Sequence, residues 1–299
     1  MSEIIRFIAI GSDITQIKLA EMEIKIQHFE IEQQHKQIIA QNVEITDSIL
    51  YSQRIQRSIM PPLSEFKSIF ENSFIFYQPK NIVSGDFYWV AEKRNEKIIV
   101  VGDCTGHGVP GAFMSMLGIV LLNEIVNKHQ DLGYNFRLNS SQVLDSLRIK
   151  LKKTLHQKGI SGEANDGMDI AICIFNLKEQ KIQFSGANQS LHIVRNNQML
   201  KINGDRMPIG VYTENDQNFT KTDVKVYEND VFYLATDGYS DQFGGSGDKK
   251  FLTKNFKEML ISIHELPFDE QKQILSDIYE GWRGEQEQTD DILVLGFKV

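Results

Sequence analysis

The chain has 299 residues, of which 41% are hydrophobic and 24% charged, the composition of a folded globular protein. Its formal net charge of −8 argues against a nucleic-acid-binding surface. The longest apolar stretch, around 112–122, is shorter than the roughly 20 residues that cross a bilayer. We therefore expect no nucleic-acid partner and no membrane span. The two cysteines fit no disulfide or metal-site spacing, which indicates a cytoplasmic location.

Residues 14–60 predict one long helix, because no Gly or Pro interrupts them. Isoleucines recur there every seven residues, at Ile17, Ile24, Ile31, Ile38 and Ile45. This repeat is typical of a coiled coil, although the companion row is polar, with Gln27, Gln34 and Gln41. The pattern predicts a weakly paired homodimer through the N-terminal helix, with a single solvated helix as the alternative.

The end of this helix joins the next domain without a flexible linker. Ile55 and Ile59 are four residues apart and share one face, which we expect to dock on that domain. Arg54 and Arg57 lie on the opposite face and are expected to stay exposed. Pro61 then stops the helix, and a globular pattern continues to the C-terminus.

Strands and helices are predicted in separate blocks after residue 61. The predicted strands are 74–78, 86–101, 168–177, 181–186, 190–196, 198–203, 223–226, 231–236 and 291–298. The predicted helices are 111–130, 140–158 and 250–283. This separation favours an α+β fold with antiparallel sheets over alternating βαβ units.

Four predicted strands begin or end at an aspartate. Asp103 follows the apolar run 98–101, Asp237 follows 231–236, and Asp86 and Asp290 precede strands. Two carboxylates about 4 Å apart repel by roughly 4 kcal/mol at an effective dielectric constant of about 20. A hard divalent cation removes that repulsion, and oxygen ligands suit Mg²⁺ or Mn²⁺. If these strand ends converge, they predict a metal site.

Residues 106–111 match the G-x-G-x-x-G pattern of dinucleotide-binding proteins. That fold needs a parallel strand directly after the following helix, whereas here a second helix comes first. No G-x-x-x-x-G-K-[ST] motif for nucleotide phosphates occurs either. The pattern alone therefore does not support a nucleotide-dependent oxidoreductase.

Four motifs in order, 84–88, 102–108, 235–238 and 289–292, resemble those of PPM-type metal-dependent serine/threonine phosphatases. The similarity is to the bacterial branch that resembles the stage II sporulation protein E phosphatase domain, and it assigns 61–299 to such a domain. It implies an α/β/β/α sandwich of two antiparallel sheets with two metal ions at one end. Residues 1–13 resemble the terminal strand of a PAS sensor domain, which leaves 14–60 as a coiled-coil signalling helix.

The resemblance implies a set of metal-site residues, namely Asp86, Asp103, Cys104, Asp237, Asp290 and Asp291. Asp103 would bridge both ions, and the carbonyl of Cys104 would bind the second. Asp237 and Asp290 would bind the first, although Asp291 is equally placed to exchange roles with Asp290. Asp86 would hold metal-bound water.

Two further residues have no clear counterpart in the family motifs. Lys80, six residues before Asp86, is the candidate to bind the substrate phosphate. His107 is interpreted as structuring its loop. The glycine-rich segment 242–250 is either a mobile flap over the site or an exposed loop.

The resemblance implies a phosphatase that uses two Mn²⁺ or Mg²⁺ ions in bacterial signalling. Its substrate would be a phosphoserine or phosphothreonine of a regulator protein, such as an anti-sigma-factor antagonist. The alternative is a non-catalytic coiled-coil scaffold with a phosphatase-like fold. The intact set of aspartates argues against that alternative, because a binding module needs none of them.

Overall fold

A computed structural model describes residues 15–93, 96–128, 137–159, 165–212 and 217–299. The predicted PAS-like strand lies outside these residues. Contacts divide the chain into two compact units, Met1–Ile49 and Leu50–Val299.

The predicted long helix is present as α1 (Thr15–Ile59). Up to residue 48 every described residue of α1 is exposed, including the isoleucines of the heptad row. The apolar side chains of this stretch are therefore not covered by any described residue of their own unit.

Over its described residues the second unit contains two five-stranded antiparallel sheets. In chain order its strands are β1 (Ser73–Gln78), β2 (Phe87–Lys93), β3 (Glu96–Cys104), β4 (Met168–Asn176), β5 (Lys181–Ala187), β6 (Ser190–Arg195), β7 (Gln198–Asn203), β8 (Thr222–Lys225), β9 (Val231–Ala235), β10 (Phe243–Gly244), β11 (Lys249–Lys250) and β12 (Ile292–Phe297). One sheet has the order β1-β12-β9-β6-β7, and the other has the order β2-β3-β4-β5-β8. The short β10 and β11 pair only with each other.

Helices cover the outer faces of the two sheets. They are α2 (Leu63–Ile69), α3 (Gly108–Lys128), α4 (Ser140–Thr154), α5 (Gly238–Asp241), α6 (Thr253–Ile263) and α7 (Phe268–Arg283). Helices α3 and α4 contact the β2-to-β8 sheet, whereas α6 and α7 contact the other. This arrangement confirms the predicted α/β/β/α sandwich. The segment predicted as helical over 250–283 is two helices, separated at Pro267.

Aromatic rings join the two sheets in the core. Phe175 of β4 lies edge-on to Phe232 of β9 and Phe297 of β12, with ring centroids 5.7 and 5.5 Å apart. All three side chains are fully buried. Edge-to-face pairs of this kind add about 0.5–1.5 kcal/mol each to the stabilisation from burial alone. The core thus fixes one sheet against the other and, with them, the loops at their ends.

The last turns of α1 belong to the second unit and pack against it. The buried Gln56 amide donates to the Ser84 carbonyl at 2.6 Å and to the Ser115 hydroxyl at 2.9 Å. Ile59 packs against the core, whereas Ile55 is 42% exposed. The docked face therefore centres on Gln56, and the expectation that Ile55 would dock was wrong.

Among the described residues, one helix, α3, is long and apolar enough by composition to span a membrane. More than half of its most apolar window is buried inside the protein. Leu121, Leu122 and Val126 belong to the hydrophobic core. The apolar composition of α3 is therefore accounted for by its packing against the β2-to-β8 sheet.

The glycine-rich segment 242–250 forms the β10–β11 hairpin. Trp282 donates its indole N–H to the Gln242 carbonyl at 3.1 Å. A Cβ on Gly244 would lie 1.9 Å from the carbonyl oxygen of Trp282. The start of the hairpin is thus packed closely against α7.

Candidate functional site

The aspartates at the strand termini gather at one end of both sheets. Asp103 at the end of β3 lies directly opposite Asp169 at the start of β4. At the end of β9 the Thr236 N–H donates to the Leu293 carbonyl of β12 at 3.0 Å, which places Asp237 beside the start of β12. The Thr236 hydroxyl donates to Asp86 Oδ2, before β2, at 2.7 Å and so joins the two sheets.

An open cleft of about 300 Å³ lies at this end of the molecule. Three carboxylates, those of Asp103, Asp169 and Asp290, line it together with His107. Its other wall comes from the segment before β8, through Pro208, Gly210 and Val211. The cleft is therefore a mostly polar and acidic concavity, open to a substrate from solvent.

Asp86 lies fully buried next to this cleft. Its Oδ2 accepts the Thr236 hydroxyl, but its Oδ1 is buried without a hydrogen-bond partner among the described residues. Burial raises the pKa of Asp86 well above its ordinary value, and the nearby Asp103 carboxylate raises it further. A buried oxygen of this kind costs free energy unless water, a proton or a cation occupies the position beside it.

The neighbouring acids also raise the pKa values of one another. Burial raises the pKa of Asp103 to about 8, with further contributions from Asp237, Asp290 and Asp169. Partial burial and the neighbouring Asp241 raise the pKa of Asp237. Like charges that must share a small volume favour the protonated forms. A cation bound among these carboxylates would relieve their mutual repulsion.

Asp290 and Asp291 have different surroundings although they are adjacent. Asp291 is buried, and its two carboxylate oxygens accept the backbone N–H groups of Lys80 and Gly85 at 2.7 and 2.8 Å. Asp290 is exposed and lines the cleft. Both oxygens of Asp291 are thus used to hold the 80–85 segment, whereas Asp290 faces the position a ligand would occupy.

Glycines allow the loops that carry Asp86 and Asp103 to touch through their backbones. A Cβ on Gly111 would lie 2.2 Å from the Gly106 carbonyl oxygen, and a Cβ on Gly85 would lie 2.7 Å from the same atom. Gly106 also has a φ of +84°, which side chains rarely adopt. The G-x-G-x-x-G pattern therefore serves close packing of two acid-bearing loops.

Lys80 contacts His107, which lines the cleft. The Lys80 Nζ lies 3.1 Å from His107 Nε2, and His107 Nδ1 lies 2.9 Å from Asn81 Oδ1. An ammonium group can only donate and an amide oxygen can only accept. Lys80 can thus donate to Nε2, and Asn81 can accept from Nδ1. The observed role of His107 is to hold Lys80 and Asn81 in place.

The structure brings Asp169 into the site, which sequence reasoning missed. Its pKa is raised by burial and lowered again by the Asn188 amide, which donates to Oδ1 at 2.9 Å. Asp169 is the second residue of β4 and stands inside a strand rather than at a glycine turn. Only the β3–β4 register places it opposite Asp103. A signal was available in the sequence, since a charged residue interrupts the apolar run 168–175.

The residues suit hard cations by their chemistry, because the available donors are carboxylate and carbonyl oxygens. The Cys104 carbonyl oxygen lies 3.3 Å from the position of a Cβ on Gly85, close to the Asp86 loop. The Cys104 thiol is buried, and burial raises its pKa, so the thiol is not a candidate ligand. Among the described residues no three His, Cys, Asp or Glu side chains already form a metal-binding group.

In metal-free protein, we expect the thermal midpoint to fall as the pH rises from about 5 to about 8. The Asp103 pKa is about 8 when folded and 3.8 ordinarily. The folded state therefore binds a proton that the unfolded state has lost, and this stabilisation disappears as pH rises through 8. Differential scanning fluorimetry in EDTA measures the slope. Asp103→Asn should flatten it, and a midpoint that rises over the same range would contradict the electrostatics.

The fold and this acid-lined end define the class of protein. Two stacked antiparallel sheets with outer helices are the arrangement of PP2C-type phosphatase domains. The SiaA PP2C domain of Pseudomonas aeruginosa superposes with a TM-score of 0.76 at 29% identity, over 86% of this chain and 98% of that one. A match of 17% identity is the PP2C phosphatase domain with a regulatory-domain fragment of SpoIIE from Bacillus subtilis. It has a TM-score of 0.60 and covers 76% of this chain and 63% of that one.

A serine/threonine phosphatase from S. agalactiae shows the same fold at 15% identity, with a TM-score of 0.52 over 76% of this chain and all of that one. Comparison with curated proteins gave no match. The family model "Stage II sporulation protein E (SpoIIE)" matches residues 94–299. The chain therefore belongs to the stage II sporulation protein E family, which confirms the resemblance inferred from the four motifs.

Proposed function

We propose that this chain is a metal-dependent protein serine/threonine phosphatase of bacterial signalling. The observation that carries the proposal is the unpartnered, buried Asp86 oxygen among carboxylates that raise one another's pKa. Such a set of acids is fully ionised near neutral pH only beside a cation. Its position at the end of a PP2C-type sandwich supports phosphoester hydrolysis over simple ion storage.

The ligands that we propose are the carboxylates of Asp103, Asp237 and Asp290 and the carbonyl of Cys104, with Asp86 holding metal-bound water. When bound, two Mn²⁺ or Mg²⁺ ions would supply an acidified water and offset the charge of the phosphate. Asp237 and Asp290 are exposed, and the charge of Asp290 acts on the pKa of Asp237, which supports their sharing one ion. Of the two adjacent acids, the contacts favour Asp290 as the ligand.

The protein's own groups have distinct proposed tasks around the reacting phosphate. Asp86, kept in place by Thr236, accepts a hydrogen bond from the attacking water and orients it. Lys80 donates to phosphate oxygens in the cleft, because its ammonium group is the cation that His107 holds beside it. Asp291 keeps the 80–85 segment, and with it Lys80, in register with the strands.

The proposed substrate is a phosphoserine or phosphothreonine of a regulator protein such as an anti-sigma-factor antagonist. The open cleft supports a protein substrate, since it admits a side chain presented from another surface. We further propose that the chain acts as a homodimer through α1. The scaffold alternative predicts dimerisation and partner binding without any phosphate release.

Phosphate release from a phosphoserine peptide should occur with Mn²⁺ or Mg²⁺ and stop in EDTA. Re-addition of Mn²⁺ should restore it, which separates metal removal from denaturation. Lys80→Met should raise KM more than it lowers kcat, because Lys80 contacts the phosphate and not the water. Equal rates with and without EDTA would reject the metal-dependent mechanism. No release under any metal would favour the scaffold.

A further inference from the structure

The first half of α1 carries a second apolar row in addition to the isoleucines. Its members are Leu19, Met22, Ile26 and Phe29, which are 52–63% exposed. They are spaced by three, four and three residues, which is the alternation of positions a and d in a coiled coil. Both positions are apolar throughout this row. The isoleucine row lacks this property, because its companion positions hold glutamines.

The two rows lie on nearly opposite sides of the helix. With 3.6 residues per turn, Ile24 and Ile26 point about 160° apart around the axis. Both are exposed, so neither row is covered within the described part of the chain's first unit. One partner helix cannot cover both faces. When the stretch 18–30 pairs with one other helix, one row forms the interface and the other row stays exposed to solvent.

The charges beside the second row select a partner and an orientation. If Leu19 is position a, Lys18 and Lys25 are at position g, and Glu23 and Glu30 are at position e. In a parallel, in-register pair each g residue faces the e residue five positions further along the other chain. Lys18 then faces Glu23 of a second copy, and Lys25 faces Glu30. An antiparallel pair would instead bring lysine to lysine and glutamate to glutamate.

We propose that two copies of this chain pair in parallel through the face formed by Leu19, Met22, Ile26 and Phe29. This inference rests on the proposed homodimer and specifies its interface. The isoleucine row, which first predicted the coiled coil, then faces outward over 17–31. The occupant of the second face is a second copy, because an identical helix in register supplies a complementary charge at every flanking position.

Disulfide trapping in the full chain tests the face directly. Met22→Cys and Ile26→Cys should each form a covalent dimer under mild oxidation, whereas Ile24→Cys should not. Ile24→Cys is the matched control, since it lies between the other two on the same exposed helix. Cross-linking of identical positions at both 22 and 26 requires a parallel pair. The native cysteines Cys104 and Cys173 are buried, and the unsubstituted chain gives the background.

Light scattering on the same samples distinguishes a dimer that uses a different interface from a chain that does not dimerise. Cross-linking of Ile24→Cys instead, equal cross-linking of all three, or a dimer mass with no cross-link would each overturn the proposed face. A monomer mass would overturn the homodimer as well. As a second measurement, Lys25→Glu should weaken dimerisation severalfold, and adding Glu30→Lys should restore it. Failure of the double variant to recover would contradict the charge pairing.

Discussion

Replacing Asp103 by asparagine should lower phosphatase activity by at least about a hundredfold. Asp103 lies at the centre of the acid cluster, with Asp237, Asp290 and Asp169 all acting on its pKa. Its carboxylate is the proposed bridge between both ions, so the asparagine amide of the variant should weaken the binding of both ions at once. A loss of several kcal/mol in transition-state stabilisation is of this size.

The shape of Asp103 is retained in the Asp103→Asn variant, so the fold should survive. Asparagine stays neutral among the neighbouring acids without binding a proton, so the thermal midpoint of the metal-free protein should even rise at neutral pH. Asp223→Asn is a suitable control, because it removes a carboxylate from the exposed strand β8, where Asp223 pairs with Lys221. Wild-type rates at saturating Mn²⁺ in Asp103→Asn would show that this residue is not part of the metal site.

Asp290→Asn and Asp291→Asn should separate catalysis from stability. Asp291 is buried and accepts two backbone N–H groups, one on each oxygen. An asparagine there turns an NH₂ group toward one of those donors and leaves it unsatisfied. The expected cost is about 3 kcal/mol, or a fall of roughly 6–12 °C in the thermal midpoint of a domain of this size.

Asp290→Asn should behave in the opposite way. Asp290 is exposed, so its stability change should stay within about 0.5 kcal/mol, while activity should fall as in Asp103→Asn. Thermal unfolding and initial rates measured on both variants decide the assignment. If Asp291→Asn keeps its thermal midpoint and Asp290→Asn keeps its activity, the two roles have been assigned the wrong way round.

Much of the fold was predictable because its signals are local. The separate blocks of strands and helices indicated antiparallel sheets, and the four motifs indicated the family. The acids at the ends of β3 and β9 were visible for the same reason, since each follows an apolar run after one intervening residue. The short helix α2 was missed, because seven residues after two prolines carry too little periodicity to be distinguished from a loop.

The rest depended on contacts between distant segments. Asp169 entered the site only through the register of β3 and β4. Gln56 is a polar residue on a face expected to dock through Ile55. It became the docked centre because the loop at Ser84 offers a carbonyl and an N–H group 28 residues away in sequence. The choice between Asp290 and Asp291 likewise needed the positions of the Lys80 and Gly85 backbone groups.

Crystals of the full chain soaked in Mn²⁺ and measured at the manganese absorption edge test the central claim most directly. We expect two anomalous peaks in the acid cluster, within bonding distance of Asp103, Asp237 and Asp290. In crystals of Asp103→Asn, both peaks should be weaker. No peak at the cluster, in crystals of protein that hydrolyses the phosphoserine peptide in the same Mn²⁺ buffer, would contradict the account.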